Sequence, residues 1–370
     1  MPLMRAAALD NPATVTARRS TAPGDPPSAD DDGYRDLINR AREAGFFHCA
    51  RWRRVLRTVL LGILYVSGWV AVFVLGRSWY QLVVAAYLAV VFSHVAFLGH
   101  DVGHRQVSRS RRLNRALGLA CGNLGTGVSY SYWVDKHNQH HARPNQVGSD
   151  PDIGPGVISW TTEQVSAKTG LNNAIARHQA ALFFPLTLLE ALNLHVASVR
   201  ALRAQGARRA RTEAIFLFAH AAAYLSAVCL AMPALQAVAF IAVQQGIFGF
   251  YLGCAFAPNH KGMPMLPPGS LLSFARRQIL TSRNVKGGRA LALALGGLNY
   301  QIEHHLFPTM PMANLRKCRP MVRAYCSSHG LDYCETSLVG SYIAGLRHLG
   351  RVSRTRCDND RSGLGTPAGD

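Results

Sequence analysis

Residues 79–104 read WYQLVVAAYLAVVFSHVAFLGHDVGH. Two messages share this one stretch. As a helix, residues 79–99 are long and apolar enough to cross a hydrocarbon core of about 30 Å. The opening Trp79-Tyr80 pair suits a membrane interface. The run then passes straight into His100-Asp101-Val102-Gly103-His104. Two imidazoles four residues apart share one helix face. An apolar span that ends on paired histidines governs how the rest of the chain is read.

Residues 55–76 form a second apolar run, separated from the first only by Arg77-Ser78, so the two make an antiparallel hairpin. Residues 212–232 and 234–257, parted at Pro233, make another. Arg57, near the end of its span, is expected to snorkel to the interface. The 370 residues would allow two soluble domains. The apolar runs argue instead for one all-α membrane body of four spans.

The formal net charge is +20, from 40 Lys+Arg against 20 Asp+Glu. In a soluble protein that would suggest nucleic acid. Here the cations cluster at 51–54, 105–115, 203–211 and 276–289, all at one end of the spans, while the hairpin tips carry only Arg77. That is the pattern of cytoplasmic loops. Both termini and all the histidine groups are therefore expected in the cytoplasm, in a bacterial-type plasma membrane. The bilayer is the expected partner and nucleic acid is not.

Residues 1–35 and 351–370 read as disordered tails around a body of 36–350. The apolar interlude at 117–128 is short for a span and, like a two-faced helix at 171–200, is expected at the interface. None of the eight cysteines forms a C-x-x-C pair. That argues against zinc ribbons, rubredoxin-type iron sites and thioredoxin chemistry. The first 30 residues lack the apolar core of a signal peptide.

Seven of the 15 histidines fall into three tight groups: HDVGH (His100, His104), HNQHH (His137, His140, His141) and QIEHH (His304, His305, with Gln301 in the first slot). Each has i, i+3 or i+4 spacing, so each presents a ligand face. Seven histidines exceed one metal centre that keeps an open position, so two metals are expected. There is no H-E-x-x-H and no Glu-x-x-His. The donor set is rich in histidine and poor in carboxylate, unlike the di-iron carboxylate bundles.

These three motifs, with Trp133-Val134-Asp135-Lys136, Asn299-Tyr300 and Leu306-Phe307-Pro308 flanking them, resemble the histidine boxes of the integral membrane fatty acid desaturases over roughly residues 50–330. The resemblance implies four spans under a cytosolic helical cap. It implies a di-iron site that activates O2 and removes two hydrogens from an unactivated methylene pair. It also nominates His260 as an iron ligand, and Asn259 as one acting through water. Gln301 resembles the front-end subgroup, whose members often carry a fused cytochrome b5 domain. No His-Pro-Gly-Gly occurs in this sequence. Electrons are therefore expected from a separate ferredoxin-, flavodoxin- or cytochrome b5-type donor and its reductase. Gln301 either ligates through its carbonyl or only hydrogen-bonds.

Imidazole suits iron and resists oxidation better than thiolate. Asp101, Asp135, Asp150, Asp152, Glu303 and Asn299 are candidates for orienting the rings. His94, His178, His195 and His220 read as structural. The substrate is expected to be a long-chain acyl-CoA or acyl-lipid, acyl-CoA first, because it would meet the basic face. The boxes alone also fit hydroxylation, conjugation, acetylene formation or carotenoid oxidation, which product analysis separates. A zinc hydrolase or a metal-binding receptor is distinguished by bound metal and oxygen dependence.

Overall fold

The computed structural model describes residues 29–48 and 50–361. Its helices are α1 (Ala29–Glu43), α2 (Arg51–Leu75), α3 (Gln81–Gly103), α4 (Arg111–Gly118), α5 (Tyr130–Ala142), α6 (Thr162–Ser166), α7 (Gly170–Arg177) and α8 (Gln179–Thr187). They continue as α9 (Glu190–Gln205), α10 (Ala207–Ala231), α11 (Ala234–His260), α12 (Phe274–Leu280), α13 (Arg289–Ala294), α14 (Gln301–Leu306), α15 (Met312–Ser328) and α16 (Leu338–Arg361). A π-helix, Leu119–Thr126, continues α4. Two short parallel strands, β1 (Asn284–Val285) and β2 (Glu335–Thr336), tie the segment before α13 to the one before α16.

Among the described residues, α2, α3, α11 and the Ala210–Ala231 part of α10 are long and apolar enough to cross a membrane. They form the two expected hairpins, with bounds within about four residues of the expected ones. Gln81 sets the first turn: its Nε2 donates to Val72 O at 2.6 Å and Gly76 O at 2.9 Å. Val72 O also accepts from Gly76 N at 3.3 Å, so the Gln81 amide adds a second donor there and supplies one to the Gly76 carbonyl just past the end of α2. Gln236 Nε2 donates to Arg77 O at 2.7 Å and joins the two tips.

Between the hairpins lie Phe92, Phe97, Phe240 and Phe248, all fully buried. The outer faces keep Ile63, Val66, Phe73, Phe218 and Leu230 exposed. That pattern suits lipid, where outward apolar side chains carry no hydrophobic penalty. α11 lies tight on the α8–α9 junction, where a Cβ on Gly249 would stand 2.7 Å from Ala191 N.

Several expectations change. Residues 29–35 are helical, and α1 packs on the third box, with Tyr34 Oη donating to Leu306 O at 2.6 Å. Residues 351–361 belong to α16. The tails expected over 1–28 and 362–370 lie outside the described residues. Residues 171–200 are not one helix: α8 and α9 meet at 74°. Arg57 does not snorkel outward but pairs with the buried Asp101.

Candidate metal centre

Four elements deliver the histidines to one end of the bundle. α3 ends on His100 and His104, and α11 ends on Asn259 and His260. α5 carries His137, His140 and His141, and its first turn is capped by Ser129 Oγ, which accepts from Tyr132 N at 3.2 Å. α14 carries Gln301, His304 and His305. All seven box histidines and His260 thus converge.

They form two donor groups. His100, His104, His137 and His304 make one; His140, His260 and His305 make the other, and within each the nitrogens lie within 4.8 Å of one another. His104 Nε2 and His137 Nε2 are 2.9 Å apart, and His140 Nε2 and His260 Nε2 are 3.3 Å apart. With metal–nitrogen bonds of about 2.1 Å, neighbouring ligand nitrogens stand roughly 3.0–3.4 Å apart. His141 lies between the groups: its Nε2 is 3.1 Å from His137 Nε2, and its ring stacks on His305 at 4.1 Å.

Ring tautomers follow from the outer partners. His140 Nδ1 faces both Asp150 carboxylate oxygens at 3.0 Å. His260 Nδ1 faces Thr281 O at 2.9 Å, and His305 Nδ1 faces Gln278 Oε1 at 2.7 Å. Each acceptor puts the proton on Nδ1 and leaves Nε2 as a lone pair. Three lone pairs turned on one another repel unless a cation lies among them. Further buried atoms have no hydrogen-bond partner among the described residues: His100 Nε2, His304 Nε2, His305 Nε2, Asn259 Oδ1 and Gln301 Oε1. Such orphans are rare in folded proteins. The donor set, imidazole with amide oxygen and no thiolate, fits iron.

Burial and neighbouring imidazoles hold His137, His141, His304 and His305 well below the ordinary histidine range. They stay neutral, as ligands must. His140 is the exception: burial lowers it, but Asp150 and Asp152 outweigh that and raise it.

Of the expected orienting residues, Asp150 holds His140, Asp152 lies 3.5 Å from the same nitrogen, and Asp101 Oδ1 lies 3.3 Å from His100 Nδ1. Glu303 does not serve a box histidine. It points the other way and accepts from Asn284 Nδ2 and Tyr333 Oη, both at 2.7 Å. Among the described residues, Asn299 and Asp135 make no hydrogen bond to a box histidine, and the Asn299 side-chain amide has no partner. Gln301 Nε2 stands 2.8 Å from His260 Nε2, while its oxygen is an orphan. Rotating the amide would exchange those two atoms. Asn259 Nδ2 is spent on Ala255 O at 3.2 Å, which leaves only its oxygen for the site.

Arg57, Gln278 and Thr281 are the participants that sequence reasoning missed. Gln278 also donates to His141 O at 2.9 Å, so one side chain braces two boxes. It follows Arg276-Arg277 in a basic stretch, where nothing in the sequence sets it apart.

A profile of the fatty acid desaturase family matches residues 77–337. An acyl-lipid (9-3)-desaturase of Physcomitrium patens is 32% identical over 74% of this chain and 54% of its own length. A Delta(6)-fatty-acid desaturase of Caenorhabditis elegans is 30% identical over 74% of this chain and 64% of its own length. A Delta(8)-fatty-acid desaturase of Euglena gracilis is 29% identical over 73% of this chain. The chain thus spans roughly half to two thirds of the length of these relatives. These relatives are eukaryotic and lend no support to a bacterial-type plasma membrane. The four apolar helices are consistent with an integral membrane protein. With the family profile covering most of the chain and the three boxes gathered at one end of those helices, the protein belongs to the fatty acid desaturase family.

Proposed function

We propose that this chain is an O2-dependent fatty acyl desaturase that inserts a cis double bond into a long-chain acyl-lipid or acyl-CoA. The observation that carries this reading is the gathering of eight imidazoles, seven in two adjoining donor groups whose nitrogens face one another and His141 between them. In this reading His100, His104, His137 and His304 hold one iron. His140, His260 and His305 hold the second, with Gln301 through its carbonyl, His141 between the two, and Asn259 acting through water. A bound iron pair would supply, with O2 and two electrons, the oxidising power that an unactivated methylene requires.

The chain's own residues do the rest. Asp101, Asp150, Gln278 and the Thr281 carbonyl keep protons on Nδ1 and aim Nε2 inward. The buried walls exclude water that would quench the chemistry. The arginine-rich end favours a cytoplasmic site, with electrons from a ferredoxin-, flavodoxin- or cytochrome b5-type donor beyond these 370 residues. Gln301 supports a front-end regiochemistry, and the name of the Physcomitrium patens relative weighs toward an acyl-lipid carrier.

The test is expression in an aerobic host supplied with such donors and their reductases, beside a His140→Ala control. A new unsaturated acyl peak that the control lacks is expected by gas chromatography with mass spectrometry. A hydroxylated product, or a zinc-loaded protein that turns over without oxygen, would overturn the reading.

A further inference from the structure

Glu213 sits near the start of α10, inside the stretch that reads as a membrane span, and is 7% exposed. A carboxylate there is costly unless donors meet it. Three do. Ser129 Oγ donates to Glu213 Oε2 at 2.6 Å, and Asn123 Nδ2 and Ser131 N each donate to it at 3.3 Å.

All three donors come from the π-helix and the start of α5. Ser129 is the residue that caps α5, and its own N–H donates to Ser198 Oγ of α9 at 2.9 Å. Asn123 Oδ1 accepts from Tyr130 N at 3.1 Å. The neighbouring carbonyls are held as well: His195 Nδ1 meets Gly127 O at 2.8 Å, and His220 Nδ1 meets Leu124 O at 2.7 Å. A polar seam from α9 and α10 therefore grips residues 123–131, and Glu213 stands at its centre.

We infer that Glu213 is a positioning residue for the second histidine box, acting through the cap of α5. The lever is long. His140 lies 11 residues beyond Ser129, about 17 Å along a helix axis, so a tilt of about 5° at the cap moves it by about 1.5 Å. Metal ligands tolerate about 0.2 Å. The inference toward metal rests on the function proposed above, whereas the clamp on α5 does not.

The test uses the full chain in detergent, with Glu213→Ala, Glu213→Gln, Ser129→Ala and the double variant Glu213→Ala/Ser129→Ala. Two quantities are read: hydrogen exchange along the chain, and iron retained against a chelator. Glu213→Ala is expected to speed exchange within residues 123–142 and to weaken iron retention about 10- to 100-fold, the range for residues that orient ligands. Glu213→Gln keeps an acceptor oxygen and should restore most of both. The double variant should be no worse than the weaker single. Unchanged exchange at 123–142 in Glu213→Ala overturns the inference, as does additivity of the two single effects. If Glu213→Ala fails to fold, Ser129→Ala decides: local loosening supports the clamp and wild-type exchange overturns it. A wild-type chain that binds no iron would sink the metal reading, while the exchange data would still judge the clamp.

Discussion

Asp150→Asn is the sharpest perturbation of the site. The Asp150 carboxylate accepts from His140 Nδ1 with both oxygens at 3.0 Å, from Asn145 N at 2.7 Å and from Asp152 N at 2.9 Å. The two backbone donors use different oxygens. Asparagine has one oxygen, so either orientation of its amide turns an NH2 toward a backbone N–H and toward the imidazole N–H. One buried donor loses its acceptor, which costs about 1–3 kcal/mol. The His140 contact also loses its ionic character. Removal of such an orienting partner lowers metal affinity about 10- to 100-fold, or roughly 1.4–2.7 kcal/mol. The two estimates agree in size. Chelator competition on purified protein measures the affinity, and acyl product measured at saturating iron separates ligand loss from misorientation. Asp150→Asn with wild-type affinity and wild-type turnover would refute the tautomer argument.

Arg57→Ala strips the buried Asp101 of its cation, and Arg57's side chain keeps 30% exposure, so the loss sits at about 3 kcal/mol or below. A lower melting temperature together with weaker iron retention is expected; an unchanged melting temperature would mean that water replaces the guanidinium. Gly127→Ala forces a non-glycine residue to φ +72° and sets a Cβ 2.7 Å from His220 Cδ2. The backbone alone costs about 1–2 kcal/mol, readable in thermal unfolding. Metal-stripped protein should lose stability in acid. Its depressed histidines, His137, His141, His304 and His305, stay neutral when folded but take protons when unfolded. Stability is therefore full above about pH 6.5 and falls below it, by up to about 1.4 kcal/mol per pH unit for each histidine. Equal unfolding midpoints at about pH 7.5 and 5.5 would contradict this.

The sequence makes the hairpins legible because an apolar run of twenty or more residues has few physical meanings. It makes the boxes legible because i, i+3 and i+4 spacing sets a helix face without any knowledge of the fold. The outer partners divide along the same line. Asp150 and Asp101 lie within ten residues of the rings they hold and were candidates. Gln278 and Thr281 lie 27 and 21 residues from theirs and were invisible. Arg57 misled for a related reason. A cation near a span's end snorkels by default, and only tertiary contact reveals an inward carboxylate 44 residues away. The outward turn of Glu303 is readable from spacing. This residue lies two residues from Gln301 and one from His304, so it is turned roughly 200° and 100° from the two ligand positions and faces away.

The depth of the site follows from helix length. α3 and α11 both start at the hairpin tips, which Gln236 ties together, and both end on ligand candidates. His100 lies 19 residues beyond Gln81, about 29 Å along α3. A hydrocarbon core is about 30 Å thick. If α3 crosses upright, the first histidine would sit about one membrane thickness from the tips, at the end of the apolar run. His260 lies 26 residues beyond Ala234, about 39 Å along α11, so this helix carries its ligand past that boundary or crosses at a tilt. Because both are continuous helices, the metal end cannot drift relative to the tips without bending one of them. An acyl chain lying among the spans would meet the donor groups only near this fixed plane. The distance from substrate terminus to reaction point would then be set by helix geometry rather than by a mobile loop.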